Sequence, residues 1–349
     1  MENRIAIPLA VWIIDNSGSM NCADGQRLVE TSSPEDLQLI SCTRWAELQQ
    51  TSEYHIRMAG LLQSRSIFRL LNHPGAACGP QQFSVGENGP GVIDAEVTSA
   101  IDVIKRSKPN GLTPLLGHIK EIIAQVEGMQ AELRQNGQKV AVILATDGVP
   151  SDASKDEFIR YLKDLGDLPV WLVFRLCTDE GRVVDYFGDL DKMLEKPIEV
   201  LDDFVAESRE VYKVNRWINY ALPLHRCREL GFYNRLFDFI DERPLTKDEV
   251  AEYCRFLFGV EVMTAAPEPA VDWNGFVAHV EGVNNGEMKQ WNPATKRVMP
   301  WIDVNMLKQQ YGDMHRRDIP PPMYGSQPRA GQPRQSVQPP PANVCCIIS

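Results

Sequence analysis

Asp15, Ser17 and Ser19 alternate in the run Asp15-Asn16-Ser17-Gly18-Ser19, directly after the apolar stretch Ile5 to Ile14. Two further oxygen donors stand downstream, Thr113 in Asn110-Gly111-Leu112-Thr113-Pro114 and Asp147 in Thr146-Asp147-Gly148. Two of these five side chains are carboxylates and three are neutral hydroxyls. Hard oxygen donors carrying few charges suit Mg²⁺, with Mn²⁺ as the alternative, and do not suit Zn²⁺. Gly18 lets the loop bend without a Cβ clash. Taken alone, the Asp-x-Ser-x-Ser spacing is also that of an ordinary Asx or Ser turn. Its place after a buried strand, followed in chain order by the Thr and the Asp, favours a metal site.

Converging these residues requires elements that end at one edge. Ile5 to Ile14, Val140 to Ala145 and Val170 to Leu176 are near-continuous apolar runs of strand length, as expected for strands covered on both faces. Ile67 to Leu71 reads as a further strand and Gln82 to Val85 as a weak one. Helical spacing of apolar residues marks 44 to 63, Val92 to Lys105, one long helix from Pro114 to Arg134, Lys155 to Leu165 and Val183 to Leu194. Residues 198 to 212 read as a short strand or turn and then a helix. The alternation predicts an α/β fold, a doubly wound and mostly parallel sheet with helices on both faces. Ligands of such sheets sit beyond the carboxyl ends of the strands. Residues 21 to 43 are polar and read as irregular, with a helix-start signal at Ser33-Pro34-Glu35-Asp36. Beyond the sheet, Trp217 to Leu230 and Tyr233 to Glu242 read as helical, and Thr246-Lys247-Asp248-Glu249 is a capping box opening a helix to about Phe258. Residues 271 to 312, with Trp273, Trp291 and Trp301 among many Asn and Gly, read as β-rich or irregular. The expected organisation is a sheet domain over 1–213, a helical segment over 214–263, a small irregular or β-rich region over 264–319, and a disordered tail over 320–349.

The residues Asp15, Ser17, Ser19, Thr113 and Asp147, with Thr146-Asp147-Gly148 as the surrounding wording, resemble the metal-ion-dependent adhesion site of von Willebrand factor type A (vWA) domains. The resemblance covers roughly residues 5 to 212. It implies a Rossmann-like sheet with one divalent ion at its rim. It further implies that Ser17, Ser19 and in some members Thr113 bind the ion directly, that Asp15 and Asp147 mostly hold its waters, and that an open position takes an Asp or Glu from a partner protein. One departure stands out. The family's first helix usually follows the motif closely, whereas about two dozen residues intervene here before Arg44. This insertion is expected near the metal face, where it could gate the site or touch the partner.

The sequence ends Cys345-Cys346-Ile347-Ile348-Ser349. Cys346-Ile347-Ile348-Ser349 has the form of a C-a-a-X prenylation box, and a final Ser favours a farnesyl group on Cys346. One lipid chain holds a protein only marginally, so a second signal is needed. Cys345 is the candidate, by palmitoylation. Eight prolines between Pro320 and Pro341 make the preceding segment a partly polyproline linker.

A formal net charge of −11 over 349 residues disfavours nucleic acid as a partner. There is no apolar run long enough for a transmembrane helix. The eight cysteines form no C-x-x-C pair, so they read as thiols of a reducing compartment rather than zinc ligands. The six histidines are scattered, and no nucleophile elbow, P-loop or dinucleotide fingerprint occurs. The expected function is therefore a non-enzymatic, Mg²⁺-dependent protein interaction module, cytoplasmic and tethered by lipid to the cytosolic face of a membrane. The alternatives are a soluble scaffold subunit of a larger assembly and, behind it, a Mg²⁺-dependent hydrolase. The hydrolase would need a general base near Thr113 or Asp147, and none can be assigned from the sequence.

Overall fold

A computed structural model describes residues 7–30, 37–194, 198–232 and 234–312. Its centre is built from three strands whose side chains are buried on both faces: β1 (Leu9–Ile14), β6 (Val140–Thr146) and β7 (Val170–Leu176). Successive side chains of a strand point to opposite faces, so each strand feeds two cores. Leu9, Val11 and Ile13 join Leu116, Ile119, Phe158 and Phe187 on one face. Ala10, Trp12 and Ile14 join Leu48, Ile56, Ile101 and Ile104 on the other. The second face is covered by α1 (Arg44–Leu62) and α2 (Ile93–Arg106). The first is covered by α3 (Leu115–Glu127), α5 (Lys155–Asp167) and α6 (Gly181–Met193). The long helix expected over 114–134 is interrupted near Gly128, and α4 (Gln130–Gln135) comes after the break as a separate piece.

The fold is α/β with a six-stranded, mostly parallel sheet in the order β5-β4-β1-β6-β7-β8. Here β4 is Ser66–Leu70, β5 is Gln82–Val85 and β8 is Glu199–Leu201. Only β5, at one edge, runs antiparallel. The chain leaves β1 for β4 on one side and later returns to β6 on the other. Ile14 is therefore in register with both Leu70 and Ala145. A crevice forms where the winding direction reverses, at the carboxyl end of β1. The loops holding Asp15 and Asp147 both leave from there.

Two regions differ from their sequence reading. The insertion after the motif is not irregular. Residues Gly25–Glu30 (β2) and Leu37–Cys42 (β3) pair as an antiparallel ribbon. The helix-start signal at 33–36 lies outside the described residues. The region expected to be irregular or β-rich past the sheet is largely helical. Residues past the sheet form α7 (Phe204–Val214), α8 (Leu222–Glu229), α9 (Lys247–Phe258), α10 (Val260–Met263), α11 (Trp273–Gly286), the hairpin β9 (Gln290–Asn292) and β10 (Arg297–Met299), and α12 (Val304–Tyr311). The expected helix at 217–230 begins only at Leu222, because Asn219 uses its side-chain amide on the carbonyls of Gln290, Met299 and Pro300 and its backbone N–H on Trp301. Residues 234–242 form turns instead of the expected helix.

These elements share a core of their own, in which Phe204, Val211, Trp217, Tyr253, Phe276 and Leu307 are buried. This core begins with Phe204 and Val205 of α7. Leu28, Leu37 and Leu39 of the ribbon pack against the same core. The expected capping box is present: Thr246 accepts from the Glu249 N–H, and Glu249 reaches back to Thr246. Among the described residues no helix is long and apolar enough to cross a membrane. The expected tail and its cysteines, Cys345 and Cys346, lie outside the described residues.

Candidate functional site

At the end of β1 the Asp15 side chain is fixed from two sides. The Ser17 N–H donates to its Oδ1 at 2.7 Å and the Thr146 hydroxyl donates to its Oδ2 at 2.6 Å. The chain then turns through a 3-10 turn, Gly18–Asn21. This brings the Ser19 hydroxyl to 3.0 Å from that of Ser17 and lets it donate to Asp147 Oδ1 at 2.8 Å. Four of the five expected residues are thereby linked at one rim of the sheet.

Thr113 belongs to a third loop docked onto the same rim. The Gly18 N–H donates to the Gly111 carbonyl at 3.1 Å, and the Asn110 N–H donates to the Asn16 carbonyl at 2.7 Å. The backbone of Thr113 exchanges hydrogen bonds with Ser151, its N–H donating to the Ser151 hydroxyl and its carbonyl accepting from the Ser151 N–H. The Thr113 hydroxyl stands 3.4 Å from where a Cβ on Gly148 would lie, which places it beside the residue after Asp147. Gly111 takes a left-handed φ of 73°, and a Cβ there would come 2.6 Å from the Asn72 amide. Only glycine fits that corner. The Asn16 side-chain amide donates to the Asn72 carbonyl and accepts from the Asn72 N–H, which ties the chain just past β4 to the motif loop.

Asp15, Ser17, Thr113 and Asp147 are buried, while Ser19 is exposed, so the cluster reaches solvent at Ser19. Burial pushes the Asp15 carboxyl up to about 6, and the Asp147 charge adds to that shift, against the hydrogen bonds from Thr146 and Ser17. Two carboxylates held together away from water are costly without a cation.

Sequence reasoning missed Arg44 and Asp24. Arg44 opens α1, with Thr43 as its N-cap, and is buried. Its Nη1 donates to Asp147 Oδ2 at 2.8 Å. Its Nε and Nη2 form a fork on the two oxygens of Asp24, at 2.7 and 2.5 Å. The fork holds the Asp24 carboxyl below the usual aspartate range. Nothing in the spacing could have signalled this: the partners lie 20 and 103 positions from Arg44 in the chain. With all groups ionised, Asp15, Asp24 and Asp147 carry three negative charges against the one positive charge of Arg44 and leave two, the complement of a divalent cation.

Among the described residues no group of three or more His, Cys, Asp and Glu side chains is placed to hold a metal. The rim is a different donor set, two carboxylates with hydroxyls. It fits a hard ion such as Mg²⁺ or Mn²⁺ in donor chemistry and in charge. Beside the rim a cleft runs between the ribbon and α8, with Asp24, Glu47, Arg175, Cys177 and Arg226 among its walls. Burial pushes the Cys177 thiol up to about 12, so it is no ready nucleophile.

Compared with known protein families and with curated proteins, the sequence matches none.

Proposed function

We propose that this chain is a vWA-type interaction protein whose sheet rim holds one Mg²⁺, or Mn²⁺, and recruits an acidic side chain of a partner protein. The observation carrying this reading is the hydrogen-bonded linkage of Asp15, Ser17, Ser19 and Asp147 at the carboxyl end of the central strands. Ser17, Ser19 and Thr113 would hold the ion, with Asp15 and Asp147 as its negative surround. When bound, the ion offers an electrophilic position to a carboxylate. Ser19 is the exposed member of the set, so the approach of a partner is expected from its side.

The reading is recognition rather than turnover. Asp15 accepts from Ser17 and Thr146, and Asp147 accepts from Ser19 and Arg44. Each carboxylate thus has donors on both of its oxygens rather than an oxygen left open to take a proton from a substrate. For the tail, the proposal is a farnesyl group on Cys346 with palmitoylation at Cys345, tethering the chain to the cytosolic face of a membrane.

The test is affinity capture of the full chain from eukaryotic cells in Mg²⁺ and in EDTA, for wild type and Asp15→Ala, with membrane fractionation of Cys346→Ser alongside. Partners that bind wild type in Mg²⁺ are expected to vanish in EDTA and in Asp15→Ala. Cys346→Ser is expected to move to the soluble fraction. Identical partners in all three conditions would contradict the ion's role, and an unchanged distribution of Cys346→Ser would contradict the anchor.

A further inference from the structure

We infer that Arg44 is a resident counter-charge that shares Asp147 with the divalent ion and lowers the affinity with which the rim holds that ion. The inference rests on reading the rim as a divalent-cation site, and it adds a residue and a regulatory sense to that reading.

A buried guanidinium at this position is unfavourable in itself. It stands in the first turn of α1, where the helix dipole disfavours positive charge, and it has lost most of its contact with water. Two carboxylates offset those costs. Asp147 comes from the end of β6 and Asp24 from the start of the inserted ribbon. Arg44 thus neutralises part of the rim's charge whether or not a metal is present. Because Asp147 gives Oδ2 to Arg44 and Oδ1 to Ser19, a cation near the serine hydroxyls would share this carboxylate with the guanidinium. Two positive charges around one carboxylate repel each other, and the weaker screening of a buried site sharpens the effect.

The same arrangement joins the site to the ribbon. Asp24 is the ribbon's handle on Arg44, and the Gln26 N–H donates to Glu47 one turn further along α1 at 2.9 Å. Asp24 has 45% of its side chain exposed. A partner touching the ribbon could therefore pull Asp24 away. The guanidinium would then be left to Asp147 alone, and the rim would hold its ion less tightly.

The test is a titration of Mg²⁺, repeated with Mn²⁺, into the metal-stripped full chain, with the metal-induced rise in melting temperature as a second readout. Arg44→Gln removes the charge and is expected to bind the ion about tenfold tighter than wild type. Arg44→Lys keeps the charge and stays within about threefold of wild type. Asp24→Asn removes an anion and frees the guanidinium, and is expected to bind at least about threefold more weakly. Affinity that tracks charge in this order supports the inference. A merely structural Arg44 would give weaker binding in both Arg44 variants, and that result would overturn it. If Arg44→Gln does not fold without metal, Asp24→Asn and Arg44→Lys decide, and unchanged affinity in Asp24→Asn overturns the inference. Equal affinities in all proteins would dismiss Arg44 but leave the ion site standing. No uptake by any of them would remove the ion site and this inference together.

Discussion

At the sheet rim, Asp147 and Asp24 pair with the guanidinium of Arg44, and Asp15 stands close enough to Asp147 to feel its charge. Further along α1, Glu229 of α8 is enclosed by His55, Arg175 and Arg226. Both clusters are buried, and the same face of α1 serves both. Arg44 reaches the rim, while Glu47, Thr51 and His55, at helical spacing behind it, reach the second cluster. Around Glu229 the charges close. Its oxygens meet His55 at 2.9 Å, Arg226 at 2.7 Å and Arg175 at 3.3 Å, and Arg175 turns its other arm to Glu47. Burial alone would push the Glu229 carboxyl up, yet Arg226 and the neighbouring histidines hold it well below its ordinary value. At the rim the charges do not close, and Asp15 is pushed up instead. The contrast separates two uses of buried charge. A balanced cluster locks α8 onto the sheet, and with it the helical core beyond. A cluster left negative, next to solvent, is the one to which the proposed ion is assigned.

The largest effect is expected from breaking the closed cluster. Glu229→Gln leaves the buried Arg226 guanidinium without its carboxylate and takes one of two from Arg175, and should cost about 3–5 kcal/mol in urea unfolding, with no recovery in Mg²⁺. A loss below about 1 kcal/mol would mean that the lock is loose and the comparison misplaced. The open cluster should respond in the opposite sense. Asp15 titrates at about 6 in the fold against 3.8 in an exposed chain, so between these values the native state keeps a proton that the unfolded chain has released. Stability of the metal-free protein therefore falls as pH rises through that window and stays low above it. Asp15→Asn removes the penalty. In EDTA at pH 7 it should be more stable than wild type by on the order of 2 kcal/mol, with a flatter pH profile below pH 6. A variant less stable than wild type at pH 7 would show that the carboxylate is a structural asset. The smallest change is expected for Asp24→Asn, at a half-exposed pair, with less than about 1 kcal/mol lost.

The central strands were legible because strands covered on both faces need no polar residues, and β1, β6 and β7 are nearly free of them. Once the alternation of strands and helices implied a parallel sheet, the motif residues had to fall at its carboxyl rim, and Asp15, Ser17, Ser19 and Asp147 do meet there. The features that escaped depend on partners distant in the chain. Leu28, Leu37 and Leu39 of the ribbon β2–β3 pack on the core built by residues after 203. Helix α11 contains Gly275, Gly282 and Gly286 with several Asn, a poor helix composition. It forms because Phe276, Val277, Val280 and Asn284 align on one buried face. Arg44 and Asp24 are ordinary surface residue types until the fold buries one against the other.

The most direct measurement is calorimetric titration of Mg²⁺ into the metal-stripped full chain, wild type beside Asp15→Asn, with melting temperatures taken in Mg²⁺ and in EDTA. The account predicts one bound ion and a metal-dependent rise in melting temperature for wild type. For Asp15→Asn it predicts neither, although that variant melts higher than wild type in EDTA. A wild type that binds no divalent ion, or a variant that binds it equally well, would contradict the reading of the rim as a metal site.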